Sequence, residues 1–231
     1  MFIVELQNVV KSYMLGSVSV NALKGLNLQI TEGDFVSVAG PSGSGKTTIM
    51  NIIGLIDKPT SGSILLDGRS ADSMSRREIT ALRKNVIGFV FQSFNLLPVL
   101  NVFENVELPL LLSAKTNSSK KERKVWVNSL LESVGLCDRA KHLPSELSGG
   151  QQQRVAIARS LVNHPKIVIA DEPTANLDSE NAGLVLNLMK QVNKTDGTTF
   201  IFSTHDSKIW EMANHIVFLK DGLVVKEDRK P

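Results

Sequence analysis

The run Gly40-Pro41-Ser42-Gly43-Ser44-Gly45-Lys46-Thr47-Thr48 constrains this chain more than any other stretch. Gly40, Gly45, Lys46 and Thr47 occupy the fixed positions of the phosphate-loop pattern G-x-x-x-x-G-K-[ST]. Before it, Phe35–Ala39 reads as a buried strand. After it, Ile49, Ile52, Ile53 and Ile56 recur at i, i+3, i+4, i+7, which predicts a helix with all four on one face. Strand, glycine-rich turn and helix together suit a phosphate cradle. The glycines let backbone N–H groups turn inward, and the helix N-terminus adds about half a positive charge. Lys46 is placed to reach the β- and γ-phosphates of a triphosphate, and the Thr47 hydroxyl to ligand Mg²⁺. Ser42, Gly43, Ser44 and Thr48 complete the candidate contacts of the loop.

With 231 residues the chain can bury a full α/β core and a small subdomain. Its composition is that of a soluble globular protein. The formal net charge of +3 is too small to argue for nucleic acid without a clustered patch. The one basic run, Lys120–Lys124, is interrupted by Glu122 and reads as a solvated helix start. Cys137 is the only cysteine, which excludes an internal disulfide or a cysteine-built zinc site and fits a reducing compartment. Met1–Glu5 lacks the features of a signal peptide, and no apolar run approaches the ~18 residues of a membrane span. A membrane role would therefore need a span supplied by another chain.

Residues 1–39 read as strands and turns, with Leu26, Leu28 and Ile30 alternating and Thr31–Asp34 as a turn. Tyr13 either stacks on a purine, worth about 1–3 kcal/mol by analogy with base–aromatic stacking, or is a half-buried strand residue. Pro59–Gly62 reads as a turn, Ser63–Leu66 as a strand, residues 75–84 as a polar helix and Ile87–Phe91 as a strand. Residues 94–143 change character. Asn101 with Glu104, and Ser119 with Glu122, form two capping-box patterns separated by a polar loop at Ser113–Ser118. The first predicts a helix with Phe103, Val106, Glu107 and Leu110 on one face, interrupted by Pro98 and Pro109 on either side. The second predicts a helix that buries Val127, Leu130, Leu131 and Val134 and stops at Gly135. Phe94, Leu96, Leu97, Val99 and Leu100 are either core or a docking surface. Ile167–Ala170 reads as a buried strand, and a helix follows with Val185, Leu188, Met189 and Val192 on one face. Thr198–Ser203 is a further strand, and Asp221-Gly222 a hairpin turn.

These segments predict an α/β fold. Its core is of the P-loop NTPase type, a parallel sheet flanked by helices, with an N-terminal antiparallel β region and an inserted helical subdomain. The expected division is a nucleotide-binding core at 1–93 and 144–231, with the helical insertion at 94–143.

Asp171 follows four apolar residues at a strand end, which in a parallel sheet faces the ligand crevice, and can hold Mg²⁺. Glu172 points differently and can serve as general base on an attacking water, worth about 10²–10⁴-fold in rate. Leu147-Ser148-Gly149-Gly150-Gln151 opens a long helix and forms a second anion site, with Ser148 as N-cap and the glycines letting phosphate oxygens approach. One loop already cradles one triphosphate, so this second site suggests a nucleotide shared between two copies. His205 follows the strand ending at Ser203 and could contact the γ-phosphate, or be structural. Gln92, also at a strand end, could touch Mg²⁺ or the attacking water. Asn193–Asp196 matches the guanine-reading N-K-x-D pattern, but it ends a helix instead of following a strand, so it is set aside.

In this order the motifs resemble the ATP-binding cassette (ABC) family. Gly40–Thr48, Gln92, Leu147–Gln151, Asp171 with Glu172, Ala175-Asn176-Leu177-Asp178 and His205 match its Walker A, Q-loop, signature, Walker B, D-loop and H-switch, and Tyr13 its adenine-stacking aromatic. The resemblance covers nearly the whole chain. It implies an active ATPase using ATP and Mg²⁺. Catalytic roles fall to Glu172, His205, Gln92 and Lys46, metal contacts to Thr47, Gln92 and Asp171, and further nucleotide contacts to Ser148, Gly149, Gly150, Gln151 and Asp178. Asn95–Pro98, Val102–Val106 and Glu107–Leu110 resemble the LolD/MacB branch, although Asn101 stands where many relatives carry Thr. That branch implies a homodimer closed over two ATP molecules and a membrane permease of the MacB/LolCE/FtsX kind. The expected partner is a separate polypeptide, since this chain ends at Pro231. The expected place is the cytoplasmic face of a bacterial inner membrane, where the protein would serve lipoprotein release, drug or peptide export, or mechanical signalling. The competing expectations are a soluble cassette ATPase acting on nucleic acid or ribosomes, and a catalytically silent scaffold. The modest charge and intact motifs argue against both, so no nucleic-acid partner is expected.

Overall fold

The computed structural model describes residues 1–113 and 118–230; the middle of the expected 113–118 loop lies outside the described residues. The chain opens with a long antiparallel hairpin, β1 (Phe2–Leu15) and β2 (Val18–Thr31). Its alternating apolar positions, Leu26, Leu28 and Ile30, are buried while their neighbours face out, as a sheet with one wet face requires. Next comes β3 (Phe35–Ala39), buried at every position, which runs through the glycine loop into α1 (Lys46–Ile53). The strands β4 (Ser61–Leu66) and β5 (Arg69–Ser70) return to the hairpin and complete a four-stranded antiparallel sheet in the order β2-β1-β4-β5.

The second sheet is built from β3 and the strands that follow β5. Helix α2 (Arg76–Val86) leads to β6 (Ile87–Val90), and α3 (Val102–Leu112), α4 (Lys120–Ser133) and α5 (Gly149–Leu161) follow. Then β7 (Ile167–Asp171), α6 (Ser179–Asp196), β8 (Thr199–Ser203), α7 (Ser207–Met212), β9 (His215–Lys220) and β10 (Leu223–Arg229) close the chain. The sheet order is β10-β9-β3-β8-β7-β6, parallel throughout except for the β9–β10 hairpin. Continuous apolar runs such as Ile167–Ala170 and Phe200–Phe202 suit strands covered on both faces. The consequence for function lies in the parallel order. The C-terminal ends of β3, β6, β7 and β8 share one edge of the sheet, and there the loop after Ala39, Gln92, Glu172 and His205 emerge.

Both capping boxes form as expected, at Asn101/Glu104 and Ser119/Glu122, and Gly135 takes a left-handed φ of 67° just past α4. Helices α3 and α4 bury Val102, Val106, Leu110, Val127, Leu130 and Leu131 in one apolar cluster with Val155, Ile157, Phe200 and Phe202. Three expectations need correction. Helix α1 ends at Ile53, so Ile56 lies beyond it and is 49% exposed; the chain turns at Leu55, which has a φ of 54°. Pro109 lies inside α3 instead of bounding it. The buried face of α3 is Val102, Asn105, Val106 and Leu110, while Phe103 and Glu107 are half-buried. The reason is Asn105. Its fully buried amide donates to the carbonyls of Leu97, Leu100 and Asn101 and accepts from the Leu97 N–H, which turns that face towards the 97–101 loop.

Candidate active site

The strand ends meet in a cleft of about 610 Å³. On one side stand Gly40–Gly43 and Gly45–Thr48; on the other stand Gln92, Asp171, Glu172, Ser203 and His205, with Ala22 at the rim. The loop is held from behind. The Gly222 N–H donates to the Ser44 carbonyl at 3.0 Å, tying the loop to the β9–β10 turn. At Gly45 φ is 105°, and a Cβ there would lie 2.8 Å from the Ala22 carbonyl oxygen; at Gly40 a Cβ would overlap the Leu219 carbonyl. Only glycine satisfies both positions. The Lys46 ammonium donates to the carbonyls of Gly40 (2.7 Å) and Pro41 (2.9 Å), so it is folded over its own loop. Ser44 is buried, and its Oγ has no hydrogen-bond partner among the described residues; it does not line the cleft.

Opposite the loop, Asp171 is the last residue of β7, paired with Ser203 of β8. Glu172 follows with φ 46°, a left-handed conformation uncommon for glutamate. Two backbone bonds hold it: its N–H donates to the Ser203 carbonyl (2.9 Å), and its carbonyl accepts from the Ala175 N–H (3.2 Å). Its Oε1 lies 2.9 Å from Nδ1 of His205, an exposed side chain. The Gln92 carbonyl accepts from the Asn176 amide at 2.9 Å, which joins the end of β6 to the segment after Glu172. The cleft thus offers an ammonium and a glycine-rich loop leading into a helix N-terminus for a polyphosphate. It also offers a carboxylate with a neighbouring imidazole for proton transfer. Thr47, Gln92 and Asp171 line the same cleft and supply oxygen donors that suit Mg²⁺. Among the described residues no group of three or more His, Cys, Asp or Glu could hold a metal alone. An ion here would therefore complete its shell with phosphate and water oxygens, as the small Mg²⁺ prefers.

Other expected residues lie elsewhere. Tyr13 is half-buried in β1, does not line the cleft, and donates its hydroxyl to Asp57 Oδ2 (2.9 Å), with Lys11 Nζ 4.8 Å from its ring centre. Burial, and then the Asp57 bond, raise the Tyr13 pKa. Burial raises the Asp57 pKa as well, but hydrogen bonds from Lys11 and Tyr13 outweigh it and lower that carboxyl. Ser148, Gly149, Gly150 and Gln151 are also outside the cleft of their own chain. Ser148 caps α5 by accepting from the Gln151 N–H, while Gln151 Oε1 accepts from the Ser148 N–H. A Cβ on Gly150 would overlap the Asn181 side chain, so α5 begins in direct contact with α6. Asp178 also lies outside the cleft and is the N-cap of α6. Its carboxylate accepts from the N–H groups of Glu180 and Asn181 and from the Asn181 amide, and the Asn181 bonds lower its pKa.

One residue and two contacts at the site escaped the sequence reading. Ala22 backs the loop through a carbonyl, and nothing in the local pattern marks it. Asn176 bonds Gln92, a contact between segments 84 positions apart. Ser203 was legible as the strand end two residues before His205, but its carbonyl grip on Glu172 was not.

Comparison with known proteins bears on this site. Residues 23–175 match the family described as ABC transporter. The uncharacterized ABC transporter ATP-binding protein MJ0796 of Methanocaldococcus jannaschii is 47% identical over 227 residues, covering 98% of this chain and 97% of that protein. The macrolide export ATP-binding/permease protein MacB of Bdellovibrio bacteriovorus is 44% identical over 226 residues, covering 98% of this chain but 34% of that protein. A dimeric structure of MJ0796 in a post-hydrolysis state, bound to ADP and Pi, superposes with a TM-score of 0.92 at 46% identity, covering 99% of both chains.

Proposed function

This chain belongs to the ABC transporter family and is a MacB-like ATPase, and on that premise we propose how its residues divide the work. The observation that carries the reading is one cleft lined jointly by Lys46, Thr47, Gln92, Asp171, Glu172 and His205. Loop N–H groups and Lys46 bind the phosphates of ATP, which requires Lys46 to leave the carbonyls of Gly40 and Pro41. Thr47, Gln92 and Asp171 hold Mg²⁺, which when bound offsets the charge of the β- and γ-phosphates. Glu172 takes the proton of the attacking water, and His205 orients that carboxylate and the γ-phosphate. Tyr13 faces the adenine from the side of the loop helix.

Ser148–Gln151 lie outside the cleft of their own chain. In our reading they serve the nucleotide of a second copy, in a homodimer closed head to tail over two ATP molecules. The dimeric MJ0796 structure supports that arrangement for a chain this similar. The output side is the segment 94–143. There Leu97, Val99, Leu111 and Leu112 are 42%, 82%, 56% and 57% exposed and would dock a membrane partner of the MacB/LolCE/FtsX kind. Among the described residues no helix is long and apolar enough to cross a membrane, and in our reading the membrane partner supplies the span. The protein would then act from the cytoplasmic face of the membrane, in lipoprotein release or in drug or peptide export.

Glu172→Gln should abolish phosphate release and trap a dimer on size exclusion with Mg-ATP, while Lys46→Ala should lose both hydrolysis and dimer. A Glu172→Gln protein that stays monomeric with saturating Mg-ATP, or a Lys46→Ala protein with unchanged turnover, would refute this assignment.

A further inference from the structure

We infer that Gln153 is a positioning residue for hydrolysis, holding the strained turn that carries Glu172. The inference rests on the site reading above. Glu172 adopts φ 46°, a conformation that persists only where its surroundings over-determine it. Its own backbone bonds, to Ser203 and Ala175, fix the start and the end of the turn. The middle is Pro173, which has no N–H to donate, so its carbonyl is the one backbone polar group it offers. That carbonyl accepts a 2.8 Å bond from Nε2 of Gln153, whose side chain is fully buried.

Gln153 makes that bond at a cost. Its Oε1 is buried and accepts no hydrogen bond from the described residues. Burying an amide oxygen without a partner is unfavourable, and a leucine or methionine would avoid it. The donor is thus the feature of this side chain that the structure uses. Its place in the chain adds a second consequence. Gln153 lies on α5, five residues after Ser148, whose helix start is offered to the nucleotide of a second copy. The helix that senses one nucleotide therefore grips, through Gln153, the turn that would hydrolyse the other.

The test is Gln153→Met in the full chain, which keeps side-chain length and removes both the donor and the unpaired oxygen. Loss of the bond lets Glu172 shift, and misplacement of a catalytic group by about 1 Å can cost on the order of 100-fold. We expect kcat to fall about 10- to 100-fold, with affinity for a fluorescent ATP analogue unchanged. An unchanged kcat, or kcat and nucleotide affinity falling together, would overturn the role. Should Gln153→Met fail to fold, Gln153→Glu retains a donor only while protonated. Its kcat should fall with rising pH more steeply than that of the unaltered protein, and parallel profiles would refute the role. Hydrolysis that survives Glu172→Gln alone would count against the site reading, not against Gln153.

Discussion

Arg159 offers a quantitative check on how the segment around Phe94 and Asn95 is held. Its side chain is half-buried, and its guanidinium donates to the Asn95 carbonyl at 2.6 Å and the Phe94 carbonyl at 2.7 Å. Burial lowers its pKa. Phe94 and Asn95 both sit at positive φ, 58° and 49°. Left-handed backbone costs about 1–2 kcal/mol per residue, less for asparagine, so the pair stores about 2–3 kcal/mol. Each charge-assisted bond is worth about 1.5–3 kcal/mol, enough together to hold both residues there. Arg159→Met removes both bonds but also relieves the partial desolvation of a half-buried cation, which offsets much of the loss. The balance is a net loss of about 1–2 kcal/mol, localised at residues 93–97. Amide exchange at Phe94 and Asn95, whose N–H groups bond to the Phe91 and Ser93 carbonyls, should accelerate about 5- to 30-fold. Exchange in β7 and β8 should change little. Arg159→Lys, which keeps the charge but not the forked donor, should fall between. Unchanged exchange at Phe94 and Asn95 in a folded Arg159→Met protein would refute the argument that these bonds hold the strained pair.

Three further outcomes follow from the geometry. Gly150→Ala should leave stability near neutral, because better helix propensity (about 1 kcal/mol) offsets the displacement of Asn181 from Asp178; ATP-driven dimer formation should fall, as read by size exclusion in a Glu172→Gln background. Tyr13→Ala should weaken ATP binding by about 1–3 kcal/mol, whereas Tyr13→Phe, which keeps the ring and loses only the bond to Asp57, should bind within a few-fold of the unaltered protein in an equilibrium titration. Asp34 is half-buried, and burial raises its pKa. Bonds and charges from His215, Thr31 and Arg229 outweigh that and lower it. At 3.6 Å the His215 contact is electrostatic, not a hydrogen bond. A depressed carboxyl pKa contributes stability above its unfolded value of about 4, lost as pH falls through the lower folded value. Asp34→Asn should therefore show a shallower stability loss below pH ~4 in urea melts, and parallel pH curves would contradict this.

Much of the site was legible in the sequence because its motifs are local. The loop from Gly40 to Thr48, the strand-end carboxylates Asp171 and Glu172, and the cap at Ser148 each state their chemistry within a few residues. Periodicity located α4, and the two capping boxes fixed the starts of α3 and α4, since hydrogen bonds between a cap and its third residue depend on spacing alone. The same local reasoning misplaced the end of α1 and the buried face of α3. Ile56 fits a helical stripe, but a left-handed Leu55 ends the helix, and a buried asparagine, not the phenylalanine, chose the face of α3.

The sequence by itself determined which groups the chain can offer to phosphate and to a proton, because those follow from residue type and short spacing. Only the tertiary structure decided how they are held. The order β3-β8-β7-β6 brings Lys46, His205, Glu172 and Gln92 to one sheet edge, and Lys46 and His205 are separated by well over 100 positions in the chain. It also set Gln153 under Pro173 and Arg159 under Phe94 and Asn95. These supports are side chains bonding to carbonyls of distant segments. Every residue offers a carbonyl, so nothing in the sequence says which one a buried donor will find.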